Sequence, residues 1–282
     1  MKADPRFLNQ PKSFWANVRT ISQANGYADR GGQVKVHTLK DISKGLGKAG
    51  LVTDHVLTDG QPTALGQQLV KYFEHRAAVL NLYVRPRLMD VAEAKVLYEK
   101  LYSECKPRCP IPKNKQKGDK SGPAYLTAVV NMLLERHSGG LPVDYDPKQL
   151  TTMTYNGAPL RTLSRRVDGA FPGPVDPIAI WEIKEYYHTT SFGSRIADGV
   201  YETQLDGMEL EELWASEQRR VHHLLIADSH RTWWGKGRSY LCRIVDMLHM
   251  GLVTEVLFGS EVVEQLPRIV AEWVQQYKSG LA

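Results

Sequence analysis

Pro177-Ile-Ala-Ile-Trp-Glu-Ile-Lys-Glu-Tyr-Tyr187 carries an apolar run straight into Glu182, Ile183 and Lys184. Its β-branched and aromatic residues read as a buried strand with charges near its end. Side chains alternate along a strand, so Glu182 and Lys184 share one face and Ile183 takes the other. A carboxylate and an ammonium in an apolar strand cost free energy unless something uses them. Fourteen residues before Glu182 stands Asp168, within Ser164-Arg-Arg-Val-Asp-Gly-Ala-Phe171, a second strand-like stretch. If the two strands pair, Asp168 and Glu182 converge on one point with Lys184 beside them.

Two converging carboxylates, with waters and a phosphate oxygen, complete the octahedral shell that Mg²⁺ demands. Such a cation polarises a phosphodiester and lowers the pKa of a bound water. Lys184 would orient that water or offset charge building on the phosphate. An acid, a spacer and then Glu-x-Lys resemble the signature of the PD-(D/E)XK nuclease superfamily, in particular the type II restriction endonucleases. The resemblance implies Asp168 and Glu182 as Mg²⁺ ligands and Lys184 as the catalytic lysine, on a mixed sheet. The chain departs from the pattern at Val167, where the signature has proline. Asp176, in Pro174-Val-Asp-Pro177, is a rival first ligand, but its flanking prolines read as a turn.

The chain of 282 residues suits one large or two modest domains, and 42% hydrophobic content is enough for a core. No apolar run approaches a membrane span, and Met-Lys-Ala-Asp-Pro lacks the apolar stretch of a signal peptide, so a cytoplasmic location is expected. Three cysteines give no disulfide framework and fit a reducing compartment. The net charge of +5 hides an uneven distribution: 197–218 holds seven acids and no Lys or Arg, while 1–120 has 21 basic against 11 acidic residues. A basic surface makes a polyanion the expected partner, chiefly through phosphate contacts; the plainer alternative is ordinary solubility charge.

Phe14, Val18 and Ile21 recur at helical spacing up to Gly26, and Thr38 caps a second helix with Leu39, Ile42 and Leu46 as its stripe. Asp59-Gly60 offers a hairpin turn, after which Thr63 opens a longer helix through Leu69, Tyr72, Phe73 and Leu80. Helix, helix, small hairpin, helix resembles a winged helix-turn-helix module over residues 14–82. Its Lys35, Lys40, Lys44 and Lys48 would be the phosphate contacts; a small helical packing domain is the alternative. Residues 84–104 read as a further helix. Between 106 and 122, three prolines and six basic residues break all periodicity, as in a linker or a mobile loop. The expected organisation is therefore an N-terminal helical, winged-helix-like domain over 1–105, a basic linker over 106–122, and a catalytic domain over 123–282.

The last domain reads as a succession. An apolar helix from Ala124 ends at Glu135, a candidate additional acid by resemblance and equally a helix-end surface charge. Asn156-Gly157 marks a hairpin leading into the Asp168 strand. Thr189-Thr-Ser191 caps a helix running toward Trp214, where Asp198, Glu202 and Asp206 at i, i+4 and i+8 read as a solvated face or a subunit contact. Strands over 221–228 and 253–258 alternate with helices over 240–248 and 262–277. The fold class is α/β: a restriction-endonuclease-like mixed sheet flanked by helices.

The expected function is a Mg²⁺-dependent double-stranded DNA endonuclease, a sequence-specific type II restriction enzyme. Within that reading, cytosine or adenine methylation is either required or blocking. A homodimer is expected because palindromic sites mirror two-fold symmetry. Arg161, Arg165, Arg166, Arg195, Arg231, Lys236 and Arg238 would hold the backbone or read guanine. The alternatives are a non-catalytic DNA-binding regulator on a nuclease-like scaffold and a structure-specific repair nuclease. No phosphate-binding glycine loop, Ser-centred elbow or His-Glu-x-x-His helix appears.

Overall fold

A computed structural model of the chain describes residues 1–116, 120–188 and 194–280, with backbone only at 194 and 195. Helix α1 (Lys12–Asn25) and helix α2 (Leu39–Lys48) pack on each other, then strands β1 (Leu57–Thr58) and β2 (Gln61–Pro62) form a minimal hairpin ahead of α3 (Ala64–Ala78). Asp59 and Gly60, with φ of 51° and 74°, make its turn, the positive-φ pair a tight hairpin requires. Thr38 accepts from the Asp41 amide while Asp41 returns a bond to the Thr38 amide, so α2 opens on a capping box. Phe14, Trp15, Val18, Ile21, Ile42, Leu46, Leu69, Tyr72 and Phe73 close the core of this part.

The helix expected over 84–104 divides. Residues 79–84 continue α3 as a π-helical turn, Pro86 falls in a short 3₁₀ turn, and α4 (Val91–Cys105) begins afresh where Asp90 and Glu93 form a second capping box. Proline has no amide to donate into a helix, and Asp90 supplies acceptors for the amides of Ala92 and Glu93. Helix α4 packs on α5 (Tyr125–His137), and both share a core with the sheet.

Strands β3 (Thr152–Tyr155) and β4 (Ala158–Thr162) make a hairpin around Asn156-Gly157 and form a separate two-stranded sheet. The main sheet has four strands in the order β5 (Gly169–Phe171), β6 (Ala179–Glu185), β7 (His222–Asp228) and β8 (Glu255–Phe258). Strand β5 runs antiparallel to β6, and β6, β7 and β8 are mutually parallel. Helix α6 (Ser194–Glu217) crosses from β6 to β7, α7 (Arg238–His249) from β7 to β8, and α8 (Glu261–Lys278) closes the chain. The cap expected at 189–191 lies outside the described residues.

Alternation on β6 sorts its side chains to two cores. Ala179 and Trp181 join α5 and α8, where Trp181 stacks on Trp273 at 6.0 Å. Ile180 packs instead with Leu210 and Leu213 of α6. Burying an aromatic side chain of this kind contributes roughly 2–3 kcal/mol. Gly169 is dictated by this packing: a β-carbon there would stand 2.0 Å from the Trp181 ring. Among the described residues no helix is long and apolar enough to cross a membrane.

The N-terminal helices are tied to the sheet domain by buried charge. Arg76 of α3 donates to both carboxylate oxygens of Asp246 on α7 at 3.1 Å, and to the Ser22 hydroxyl at 2.9 Å. The Tyr72 hydroxyl reaches the same carboxylate at 2.5 Å.

Candidate functional site

Pairing of β5 with β6 brings together the three residues singled out by spacing. The Asp168 amide donates to the Trp181 carbonyl at 3.2 Å, extending the ladder one residue before β5 begins. Its carboxylate accepts from the Ile183 amide at 2.7 Å. On the neighbouring strand, Lys184 Nζ donates to Glu182 Oε2 at 2.6 Å. Glu182 is fully buried and Lys184 nearly so, whereas Asp168 keeps an open side toward solvent at the mouth of the cluster.

Three further residues complete the cluster. Arg165 donates to Glu182 Oε1 at 2.9 Å and to Asp206 Oδ2 at 2.6 Å, and stands 3.4 Å from Glu202. Glu202 also accepts from Lys184 at 3.1 Å. Asp206 is fully buried, and its Oδ1 has no hydrogen-bond partner among the described residues. Arg165 was expected to hold a DNA backbone; it turns inward instead, because two buried carboxylates sit within its reach. Of the row expected on a solvated face, Asp206 is buried against Arg165, Glu202 is half-exposed with its carboxylate toward the cluster, and Asp198 is exposed. Small residues give the helix its closeness here: a β-carbon at Gly199 would lie 3.1 Å from Lys184 Cδ, and one at Gly207 would lie 2.3 Å from the Leu252 carbonyl.

Four carboxylates therefore meet two cations. The protein packed against its inner side and then Glu182 raise Asp168, although its outer side meets solvent, and burial and then Glu182 push Asp206 up to about 7. Burial alone would raise Glu182 too, but Lys184 and Arg165 outweigh it and hold this carboxyl below its usual range. Burial works against the charges on Lys184 and Arg165, yet the surrounding carboxylates raise both. A buried pair of this type adds little to stability against apolar replacements, so its cost is met only by good geometry or by use.

Hard carboxylate oxygens suit Mg²⁺, which needs only one or two protein carboxylates when waters and phosphate supply the rest. Asp168, open to solvent, and Glu182 are the donors at hand, and Asp206 stands behind them, bonded to Arg165. Among the described residues no group of three or more His, Cys, Asp or Glu side chains is placed to hold a metal ion. Both Glu182 oxygens are engaged, Oε1 by Arg165 and Oε2 by Lys184, so a cation here would have to displace one of them and take its remaining ligands from water and substrate.

The remaining expected residues scatter. Glu135 lies away from the cluster: its carboxylate accepts from the Arg108 amide at 3.0 Å and fastens the loop after α4, because it stands at the far end of α5. The near end of that helix meets Glu185, which accepts from the Thr127 amide and hydroxyl at 3.0 Å. Asp176 is a turn residue with φ of 51°, bonded to Thr154 and to Arg219. Arg161 pairs with Glu212, and Arg238 donates to the Trp234 carbonyl. Lys40, Lys44, Lys48, Arg166, Arg231 and Lys236 are exposed, and Lys35 donates to the Asn25 carbonyl. The Arg195 side chain lies outside the described residues. Cys105, Cys109 and Cys242 are free thiols.

Two family models match the chain: residues 89–273 match "Domain of unknown function (DUF7687)" and residues 1–83 match "Domain of unknown function (DUF7690)". No curated protein and no solved structure matches it. The first model covers the sheet and every residue of the cluster, and the chain belongs to the family described as Domain of unknown function (DUF7687).

Proposed function

We propose that the chain is a Mg²⁺-dependent endonuclease of double-stranded DNA, related to the PD-(D/E)XK enzymes and acting as a sequence-specific restriction enzyme against foreign DNA. The observation that carries this reading is the contact of Lys184 with Glu182 at 2.6 Å on a central strand, with Asp168 bonded to the amide between them. A sheet of one antiparallel and three parallel strands, with helices on both faces, supports it.

In this reading Asp168 and Glu182 hold the cation, which supplies Lewis acidity toward a phosphodiester and lowers the pKa of a water. Lys184, kept charged by Glu182, faces the phosphate and offsets the charge that builds on it. Arg165 has to yield part of its hold on Glu182 as the carboxylate turns to a new partner. Asp206 retains its bond to the guanidinium and keeps Arg165 from leaving the site. The α1–α3 part serves as a winged-helix-like DNA-binding module, with Lys40, Lys44 and Lys48 one turn apart along the exposed side of α2. A homodimer would present two such sites to a palindrome.

The saturation of Glu182 by Arg165 and Lys184 favours a second reading, a DNA-binding regulator whose cluster is a closed ion-pair network. Incubation of the purified chain with Mg²⁺ and plasmids of differing methylation, beside Glu182→Ala, separates the two. Discrete fragments that vanish in the variant support the nuclease. Binding to DNA without cutting on any plasmid supports the regulator.

A further inference from the structure

A cavity of about 790 Å³ opens where the N-terminal helices meet α6 and α7. It is within the size range of small-molecule sites. Its cationic lining comes from both family-matched segments: Arg19 and Lys48 from one, Arg243 from the other. Tyr27 and Tyr201 stand among them. Arg243 donates to the Tyr201 hydroxyl at 2.8 Å, and its guanidinium carbon is 5.7 Å from the centre of the Tyr27 ring.

Charge at this cavity is not balanced. Among the described residues none of Arg19, Lys48 and Arg243 forms an ion pair. Lys48 reaches the Ala24 carbonyl and Asn25 Oδ1 only at 3.5 Å, and Arg19 reaches the Met250 sulfur at 3.5 Å. Bonds of that length are weak. The one acid in the lining, Asp246, is already taken by Arg76 and Tyr72. Three cations around a concave space without a counter-charge call for an anion. The space is far larger than a phosphate, and two phenol rings beside a guanidinium offer a stacking surface for a planar base.

We propose that this cavity binds a nucleobase bearing a phosphate, supplied either as a free nucleotide or as a nucleotide extruded from a DNA strand. The phosphate meets Arg19, Lys48 and Arg243, and the base lies against Tyr27 or Tyr201. The site is separate from the carboxylate cluster: Tyr201 and Gln204 line the cavity while Glu202 and Asp206 of the same helix face the cluster. An occupant would press on α6 from the side away from the cluster, across a helix about 10 Å thick.

The test uses the full chain in chelator, so that no cleavage enters the readout. Calorimetric titration with adenosine, guanosine, cytidine and thymidine 5′-monophosphates is run beside inorganic phosphate and the uncharged nucleosides. At least one monophosphate is expected to bind, and phosphate or nucleoside alone about tenfold more weakly or worse. Arg243→Gln and the exposed Lys48→Met and Arg19→Gln are each expected to weaken it by about tenfold, with thermal melts showing that the variants are folded. In a second arm, a short duplex carrying 2-aminopurine is mixed with the protein. A rise in its fluorescence that Arg243→Gln or Lys48→Met abolishes identifies the DNA strand as the source; binding of monophosphates without that rise identifies the free nucleotide. The proposal is overturned by no heat up to about 5 mM ligand together with a silent duplex. It is equally overturned by binding that folded variants retain in full, or by phosphate binding as tightly as nucleotide.

Discussion

Gly199 of α6 lies directly against Lys184 of β6, so that a β-carbon at 199 would stand 3.1 Å from Lys184 Cδ and 2.6 Å from the Tyr186 hydroxyl. The absence of a side chain there lets the lysine stem run between strand and helix and deliver its ammonium to Glu182 and Glu202. Gly199→Ala is expected to displace that ammonium and to lower stability by about 1–3 kcal/mol. Urea melts read the stability, and plasmid nicking reads the site; an alanine variant with unchanged nicking and stability would refute the close fit.

Lys184 and Glu182 have separable effects. Lys184→Met leaves Glu182 with Arg165 as its remaining partner, so the fold should survive with a loss of about 3 kcal/mol. Its DNA cleavage should fall by about 100-fold or more. A Lys184→Met protein that still cuts plasmid at the wild-type rate removes the lysine from the chemistry.

Addition of Mg²⁺ or Mn²⁺ should stabilise the wild-type chain through preferential binding to the folded state, by about 2.7 kcal/mol at a hundred times the dissociation constant, and so raise its melting temperature. Asp168→Asn, which removes the carboxylate open to solvent, should cancel that shift. Equal shifts in both proteins place the cation elsewhere.

Arg76 and Asp246 join α3 to α7 with both charges buried. Arg76→Met strands Asp246 with Tyr72 alone and should cost about 3–5 kcal/mol. The wild-type chain should melt as one unit in calorimetry, and the variant should melt in two steps, the helical part first. A single unshifted transition in the variant would show that the apolar contacts alone hold the two parts together.

Stability should depend on pH through two buried acids outside the cluster. Burial raises Glu185 to about 7 and Asp228 to about 7, although each accepts backbone hydrogen bonds. Between about pH 4 and pH 7 these two groups hold protons in the folded state that the unfolded chain has released, so their contribution to stability falls as pH rises through that window. The loss should be about 1–3 kcal/mol per group, read from urea melts at a series of pH values. Burial lowers His37, His75 and His222, which act in the opposite sense, so the acids are read by difference: Glu185→Gln or Asp228→Asn should each remove its share of the fall, and a pH dependence unchanged in both variants would contradict the shift.

Local signals carried much of this architecture. Asp59-Gly60 and Asn156-Gly157 turn where a positive-φ pair is demanded, and the apolar run before Glu182 is the second strand of the main sheet. The direction of long-range contacts is not written locally. A row of acids at 198, 202 and 206 has the same spacing whether it meets water or a guanidinium, and only the fold turns Arg165 toward two of them. Gly199, Thr203 and Gly207 were the usable hint, since small residues along one side of a helix permit close approach. Glu135 misled because the acid that β6 sends to α5 meets the helix at its opposite end.

The two-sided character of β6 has an evolutionary reading. Trp181 and its stacking partner Trp273 depend on the same register that presents Glu182 and Lys184, since a slip by one residue would send the indole into the ion pairs and the charges into the aromatic stack. Natural selection on folding alone would therefore police the placement of the charged groups, and a lineage could not drift out of alignment here without also losing a cohesive interior.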